Sequence, residues 1–277
     1  MKFEANKLLH FLFSPFFLLV RNSNLFRQLL KREITQKYRG SYLGILWNFI
    51  VPITMMIVYS FVFGVVFKAR WDYQVSESNA EFAVILFVGI ALYTVFSETV
   101  NIAPTLITSN ANYVKKVVFP LELLSMTSVG SSLVQFLFNL VVILVSKVAI
   151  IGRFDATMLL LPIILIPLIF LTLGISWILS AIGTYVRDMR QASTIITLIF
   201  GYATPVFFPF TAVPENLRWV LELNPMTTIV NNARNVLIYG VMPDWLALGK
   251  VWILSYIVML IGFQFFQKVK PGFADAI

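Results

Sequence analysis

The chain has 277 residues, of which 59% are hydrophobic, and its mean hydropathy is +0.85. A typical soluble domain is about 45–50% apolar, so this composition excludes an ordinary soluble fold and indicates a membrane protein. The absence of cysteine excludes disulfides, thiol chemistry and cysteine-ligated zinc, and the net charge of +8 is spread over segment ends rather than a basic soluble domain, which argues against nucleic-acid binding.

Six apolar runs are each long enough to cross a bilayer as a helix, which takes roughly 20 apolar residues. They lie at 45–67, 82–103, 118–150, 157–183, 192–212 and 246–267. A spanning β-barrel would instead show weak alternation in segments of about ten residues. The sequence therefore predicts an all-α membrane protein with six transmembrane helices.

The N-terminal residues 1–24 precede these runs. A charged start at 1–7 and an apolar stretch at 8–20 resemble a signal peptide, but residues 21–24 offer no small-residue cleavage site, and Pro15 breaks a stretch that is too short to span. A cleaved signal or an anchor is the alternative. We expect an interfacial segment whose aromatic side chains sink into the headgroup boundary: Phe11, Phe13, Phe16 and Phe17.

Residues 25–40 predict a basic amphipathic helix on the inner membrane surface. Apolar side chains recur at three- and four-residue steps from Leu25 to Tyr38, and basic or amide side chains fill most of the other face. The polar residues 22–24 offer an N-cap. The helix is either a simple anchor or a platform that also contacts a cytoplasmic partner or an anionic lipid-linked substrate, and both interpretations stay open.

The first predicted span carries a stripe of methionine and aromatic side chains on one face. Its members follow one another at three- and four-residue spacing: Pro52, Met56, Tyr59, Phe63 and Phe67. Such a stripe is able to line a conduit, but aromatic stripes more often pack against other helices or lipid.

Two connections between the predicted spans are unusual. Residues 104–117 are short and partly polar, and they form either a plain connection or a short helix that docks a partner. Residues 208–248 carry four prolines, and their amphipathic middle at 224–240 is too short to cross a bilayer. Because non-helical backbone at membrane depth must be sheltered or line a cavity, we expect short re-entrant helices on the outer side, before the last span, with Arg234 at an external mouth.

Residues suited to chemistry are scarce, and neither a catalytic nor a metal site is predicted. His10 is the only histidine, which excludes a Ser–His–Asp triad and a zinc-binding H-E-x-x-H helix, and there is no G-x-x-x-x-G-K-[ST] phosphate loop. Glu98 lies within the second span, but one acid with no obvious partner favours a structural role over a proton relay. We therefore expect a permease rather than an enzyme.

The distribution of Lys and Arg predicts the orientation. Fourteen of the 21 lie in the N-terminal segment, the second and fourth connections and residues 268–277, against seven on the other side. The positive-inside rule then puts both termini in the cytoplasm. The expected division is an interfacial segment at 1–24, an interface helix at 25–40, a transmembrane domain at 41–267 and a cytoplasmic tail at 268–277.

An ordered set of short motifs extends along residues 25–267. It begins with Arg32-x5-Tyr38-Arg39-Gly40-Ser41-x-Leu43-Gly44-x-x-Trp47 and Pro52. It continues with Asn112-x-x-Lys115-Lys116-x3-Pro120-x-Glu122, Arg187-Asp188 and Pro205-x3-Pro209, and ends with Asn224-Pro225, Arg234-Asn235 and Tyr239-Gly240. The set resembles ABC-transporter permeases that export polysaccharides, which are the O-antigen, capsule and teichoic-acid exporters.

The resemblance implies a homodimer that works with two separate ATPase subunits in the bacterial inner membrane. ATP and Mg²⁺ would be used by the partner, and this chain would bind no cofactor. The substrate would be an undecaprenyl-linked glycan threaded outward from the cytoplasmic side. The resemblance implies a conduit lined by the first and fifth spans, with Tyr59, Phe63, Phe67, Tyr202, Phe207 and Phe208 as candidate lining residues.

The resemblance also implies roles for the interface helix and for both unusual connections. The interface helix and a coupling loop at 104–117 would contact the ATPase, through Asn110, Asn112, Tyr113, Lys115, Lys116, Arg27 and Lys31. An outer gate at 214–240 would include Asn224, Pro225 and Arg234. Basic side chains at the inner surface suit a pyrophosphate head group or only orient the chain near anionic lipid, and the candidates are Arg32, Lys37 and Arg39.

Two alternatives stay open. A related permease that exports a lipid or drug would have a closed apolar cavity opening to lipid, whereas a long polar and aromatic conduit favours a glycan. A proton-coupled carrier or an intramembrane transferase would depend on Glu98 and not on an ATPase.

Overall fold

The structure, a computed structural model, describes residues 2–66, 78–115 and 119–277, and within these ranges all regular secondary structure is helical. The predicted all-α fold is thus confirmed. The helices used below are α1 Lys2–Arg21, α2 Ser23–Tyr38, α3 Trp47–Tyr59, α4 Asn79–Ile102, α5 Ala111–Val114, α6 Glu122–Ile151, α7 Leu161–Tyr185, α8 Met189–Tyr202, α9 Arg218–Leu223, α10 Pro225–Arg234, α11 Trp245–Val269 and α12 Phe273–Ala276.

Five helical stretches in the described residues are long and apolar enough to cross a membrane, and the chain is a multi-pass membrane protein. They are Gly44–Val66, Asn79–Thr105, Glu122–Ile151, Ala156–Tyr185 and Trp245–Ala276. The first of them includes α3 and the π-helical turn Ser60–Val66 that extends it. These five correspond to the first four and the last of the six predicted spans.

The structure differs from the prediction at the fifth apolar run. Helix α8 has only 14 residues, which at 1.5 Å per residue gives about 21 Å, less than the roughly 30 Å hydrocarbon core. The helix ends at Tyr202, and residues 203–209, hereafter the post-α8 segment, are non-helical. Pro205 and Pro209 lack a backbone N–H, so an α-helix cannot continue through them without losing hydrogen bonds.

Helix α4 lies at the centre of the bundle, and α7 packs tightly against α11. Most of α4 is buried against α6, α7, α8 and α10. A methyl group on Gly174 would lie 2.5 Å from the Val258 carbonyl oxygen, and one on Gly262 would overlap the Gly174 carbonyl. Only glycine allows this approach, so α7 and α11 behave as one packed pair. The first span, in contrast, exposes most of its apolar side chains.

The N-terminal segment predicted to be interfacial forms one helix that packs against other helices. Helix α1 continues through Pro15, and the Phe16 ring meets the Phe170 ring of α7 edge-on at 5.9 Å. The Tyr256 hydroxyl, near the middle of α11, donates to the Leu12 carbonyl at 2.7 Å. The second half of α1 therefore packs against spanning helices rather than lying only at the headgroups. The side chain of Phe11 lies outside the described residues, and Phe13 and Phe17 are exposed.

The predicted N-cap of α2 is also different. Helix α2 begins at Ser23 after Asn22, and the Asn22 side chain caps nothing in α2. Its amide instead donates to the Leu18 carbonyl at the end of α1. The side chain thus stabilises the junction between α1 and α2.

Candidate functional site

Three of the predicted conduit residues form one aromatic cluster. The rings of Phe63 and Phe207 stack with 6.3 Å between centroids, and Tyr59 lies 6.3 Å from Phe63. All three are half-buried. The cluster joins the first span to the post-α8 segment, which is the neighbourhood expected of the first and fifth runs. Phe67 lies outside the described residues.

The remaining two conduit candidates line a different feature. Tyr202 is exposed, and together with Phe208 it borders an open apolar cavity of about 510 Å³ between α8 and α9. The structure therefore does not bring all the predicted conduit residues onto one surface of this single chain.

Asn224 and Pro225 build the start of the short helix α10. The Asn224 side-chain oxygen accepts from the Met226 N–H, and Pro225 takes the first helical position, where its missing N–H costs nothing. The Asn224 amide donates to the Thr204 hydroxyl at 2.8 Å and to the Ala203 carbonyl at 3.1 Å. One side chain thus caps α10 and holds the post-α8 segment.

Arg234 is buried inside the bundle, not at an external mouth as predicted. Its guanidinium donates to the carbonyls of Ile85, Pro205 and Val206 at 3.1, 2.6 and 2.9 Å. These carbonyls include two from the post-α8 segment, where irregular backbone needs partners. A methyl on Gly89 would lie 2.6 Å from this guanidinium, so α4 leaves room for it. Arg234 therefore fixes the irregular backbone between α8 and the gate residues.

A charged cluster that the sequence analysis did not predict holds the other end of α10. Lys147 is completely buried and pairs with Asp155 at 2.5 Å, and Arg153 lies 3.5 Å from the same carboxylate oxygen. Arg153 also donates to the carbonyls of Ile238 and Tyr239. We call these three side chains the loop latch, since they join the α6–α7 connection to the π-helical turn that follows α10. A lysine deep in an apolar run is itself the signal of such a partner.

The interface helix and the coupling loop are in direct contact. The Arg32 guanidinium donates to the Tyr113 hydroxyl at 2.5 Å, and the Tyr113 ring stacks on Phe119 at 4.2 Å. Side chains Phe26 and Leu30 of α2 pack where α6 has Gly130. The two regions predicted to meet an ATPase therefore form one continuous surface. Arg32, which belongs to this surface, was predicted instead as a candidate to bind a pyrophosphate head group.

The other predicted ATPase-contact and head-group side chains differ in their solvent exposure. Arg27, Lys31, Arg39, Asn112 and Lys115 are exposed, whereas the Asn110 amide donates to the Leu106 carbonyl of its own chain. Lys116 lies outside the described residues. The exposed members form a basic and polar surface available to a partner or to anionic lipid.

Glu98 faces this surface and not the interior of the bundle. Its carboxylate lies 3.9 Å from the Lys37 ammonium and accepts from the Ser132 hydroxyl. Both charged side chains are more than one-third exposed, so the pair adds little stability. Burial raises the pKa of Glu33 on the same helix, and the Lys37 charge opposes that shift. Lys37 is thus shared between two carboxylates.

The described residues contain no group of three or more His, Asp or Glu side chains placed to hold a metal ion.

The profile of the ABC-2 type transporter family matches residues 24–238. The chain belongs to the ABC-2 type transporter family. Among curated proteins, it is 29% identical over 253 residues to the O-antigen export system permease protein RfbA of Myxococcus xanthus, covering 90% of this chain and 94% of the relative. RfbA of Klebsiella pneumoniae is 23% identical over 248 residues, with 89% and 92% covered. The polysialic acid transport protein KpsM of Escherichia coli is 21% identical over 241 residues, with 85% and 90% covered.

The ABC-2 match spans nearly all of the features described above. It begins at the start of α2 and ends within the π-helical turn that follows α10, so it includes the coupling loop, the aromatic cluster and Arg234. Helix α1 lies before the ABC-2 region, and α11 follows it. The structural elements that position both candidate surfaces thus lie within the part of the chain that matches the family.

Proposed function

We propose that this chain is the membrane subunit of an ATP-driven exporter that carries a lipid-linked polysaccharide outward across the bacterial inner membrane. The observation that carries the proposal is similarity along 85–90% of the chain to permeases named for O-antigen and polysialic acid. The chain lacks a phosphate-binding loop, so the ATPase would be a separate subunit. The distribution of Lys and Arg supports a cytoplasmic position of both termini.

The exposed apolar faces of the first span and α8 support assembly as a homodimer. Ile53, Ile57 and Phe61 on one element, and Leu198 and Ile199 on the other, are all more than one-third exposed. A second copy placed against these faces would bring two sets of aromatic side chains around a common axis. Aromatic faces stack on the C–H surfaces of sugars at many weak sites, which lets a polymer slide.

A lipid or drug substrate is the second candidate. The 510 Å³ cavity beside Tyr202 and Phe208 is open, and all of its lining side chains are aliphatic or aromatic. This cavity suits an acyl chain better than a sugar, and it equally suits the lipid end of a lipid-linked glycan. Identification of the material that accumulates when the chain is absent separates the two substrates.

We expect loss of Asn112 and Lys115 to weaken docking of the ATPase. Both side chains are exposed on the surface formed by α2 and the coupling loop, so their removal deletes partner contacts without disturbing the bundle. Two contacts worth about 0.7 kcal/mol each reduce affinity by about tenfold. Tagged protein with Asn112→Ala and Lys115→Ala, purified from native membranes, should retain correspondingly less ATPase subunit and less ATP hydrolysis.

Lys250→Ala is the matched control, because Lys250 is an exposed lysine near the start of α11, at the opposite end of the bundle. It should co-purify with as much ATPase as the native sequence. Native protein that purifies with no ATPase subunit would refute the proposed function and return attention to ion-coupled transport through Glu98.

A further inference from the structure

Glu122 is a buried acid and the first residue of α6, five positions beyond the coupling loop. Its side chain is 1% exposed, and one carboxylate oxygen accepts from Lys270 at 2.8 Å and from Gln267 at 2.7 Å. Both donors lie at the far end of the chain, where α11 ends. The other carboxylate oxygen has no hydrogen-bond partner among the described residues. The contact therefore joins the start of α6 to the last span through a single charged group, and the Tyr113–Phe119 stack joins the coupling loop to the residues just before α6.

Helix α7 contacts the start of the coupling loop and also the first residue of α6. A methyl group on Gly183 would overlap the backbone of Pro104, so α7 rests directly on the start of the loop. At the other end, the Trp177 indole donates to the Glu122 carbonyl at 3.2 Å. The coupling loop is thus held by α7 at its start, and the first residue of α6, which follows the loop, is held by α7 and α11 together.

The pair of helices that holds the loop extends to the opposite end of the bundle. Helices α7 and α11 are packed backbone to backbone at Gly174 and Gly262, so they move together. Helix α10, which contains Arg234, packs against α4, α7 and α11. A displacement of α7 and α11 therefore reaches the residues that hold the post-α8 segment.

An ion pair with a fully buried carboxylate and a partly buried ammonium, as in Glu122 and Lys270, is an expensive way to hold two elements together. Desolvation of the two charges offsets most of their attraction, and apolar side chains of similar volume stabilise a fold as well or better. The best-attested role of a charged pair in a protein interior is to fix the relative position of two structural elements. Glu122 and Lys270 meet this description, because they are 148 positions apart in the sequence and Glu122 is the first residue of α6.

We propose that Glu122 is a positioning residue that links the coupling loop to α11 through Lys270, so that displacement of the loop by a partner is transmitted to α10. This inference rests on the proposed ATP-driven function. Glu122 touches neither substrate nor nucleotide, and its effect is on the amount of transport obtained per ATP hydrolysed.

The test compares three variants with the native chain in cells and as the purified complex with its ATPase. Lys270→Met leaves a buried carboxylate without its cation and reports mainly on folding. The double variant Glu122→Met with Lys270→Met removes both charges and keeps the volume. Lys268→Met is the matched control, since Lys268 is an exposed lysine two residues away. We measure chain accumulated in membranes, hydrolysis of Mg-ATP and surface polysaccharide.

The double variant is expected to accumulate and hydrolyse ATP within about twofold of the native complex, while surface polysaccharide falls by about tenfold. Lys268→Met should leave all three measurements unchanged. The proposal is overturned if surface polysaccharide follows the amount of folded chain, if ATP hydrolysis and export fall together, or if the double variant fails to accumulate, since the pair would then only support folding or docking. Failure of the native chain to bind an ATPase would instead refute the proposed function.

Discussion

Replacement of Asp155 by alanine is expected to destabilise the protein severely. Lys147 is completely buried beside this carboxylate, and removing one member of a buried pair costs about 3–5 kcal/mol because the other charge is left uncompensated. Arg153 loses an ionic partner as well. In detergent solution the variant should unfold at a midpoint temperature lower by roughly 10 °C.

The double variant Lys147→Met with Asp155→Ala separates charge from packing. It removes the uncompensated cation and should recover most of the lost stability. Asp275→Ala serves as a control, because Asp275 is exposed in α12. An Asp155→Ala protein that melts within about 2 °C of the native protein would show that the loop latch contributes no stability.

Replacement of Arg234 by methionine is the second change with a large expected effect. The guanidinium donates to three backbone carbonyls, and methionine fills part of the volume while leaving all three without this donor. Hydrogen bonds to charged groups contribute about 1.5–3 kcal/mol each, so the loss amounts to several kcal/mol even when partly compensated. We expect little folded protein in membranes, and a low melting temperature for what remains.

Lysine at position 234 should restore only part of the lost stability, because an ammonium group is a point charge and does not reproduce the planar, forked arrangement of guanidinium donors. Arg218→Met is the matched control: Arg218 lies near the protein surface and pairs with the exposed Glu215. If Arg234→Met melted like Arg218→Met, the assignment of Arg234 as the residue that holds the post-α8 segment would be wrong.

The spanning helices were predictable from composition, because a run of about 20 apolar residues is most stable as a helix that crosses a bilayer. The fifth run was the exception, since its apolar content continues through Pro205 and Pro209 while its helix does not. Hydropathy measures partitioning into lipid, whereas helix continuation depends on backbone hydrogen bonds that proline cannot make.

The sequence analysis identified regions of the candidate site, but it did not predict which residues contact one another. The motif residues Asn224, Pro225 and Arg234 lie in or beside α10, but the burial of Arg234 depends on carbonyls of Ile85 and Pro205 that are distant in sequence. Arg32 and Tyr113 are likewise 81 positions apart, so separate interpretations of α2 and the coupling loop missed their hydrogen bond. Long-range pairings of this kind leave no periodicity in a single sequence.

Lys147 could have been predicted as buried and paired. A lysine inside an apolar run is costly unless it has a partner, and Asp155 follows it by eight residues. Lys147 is one of the seven basic residues counted on the other side, and the predicted orientation does not depend on one residue. Without Lys147, the positive charges still favour the same side.

The most direct test of the central claim is removal of this chain from its host, followed by analysis of glycan on both sides of the membrane. An exporter subunit predicts that surface polysaccharide is lost, that lipid-linked glycan accumulates inside the cell, and that the native chain restores both while a chain lacking Asn112 and Lys115 restores them poorly. Unchanged surface polysaccharide together with accumulation of another lipid or a drug would contradict glycan export and favour the apolar cavity beside Tyr202 and Phe208 as the substrate site.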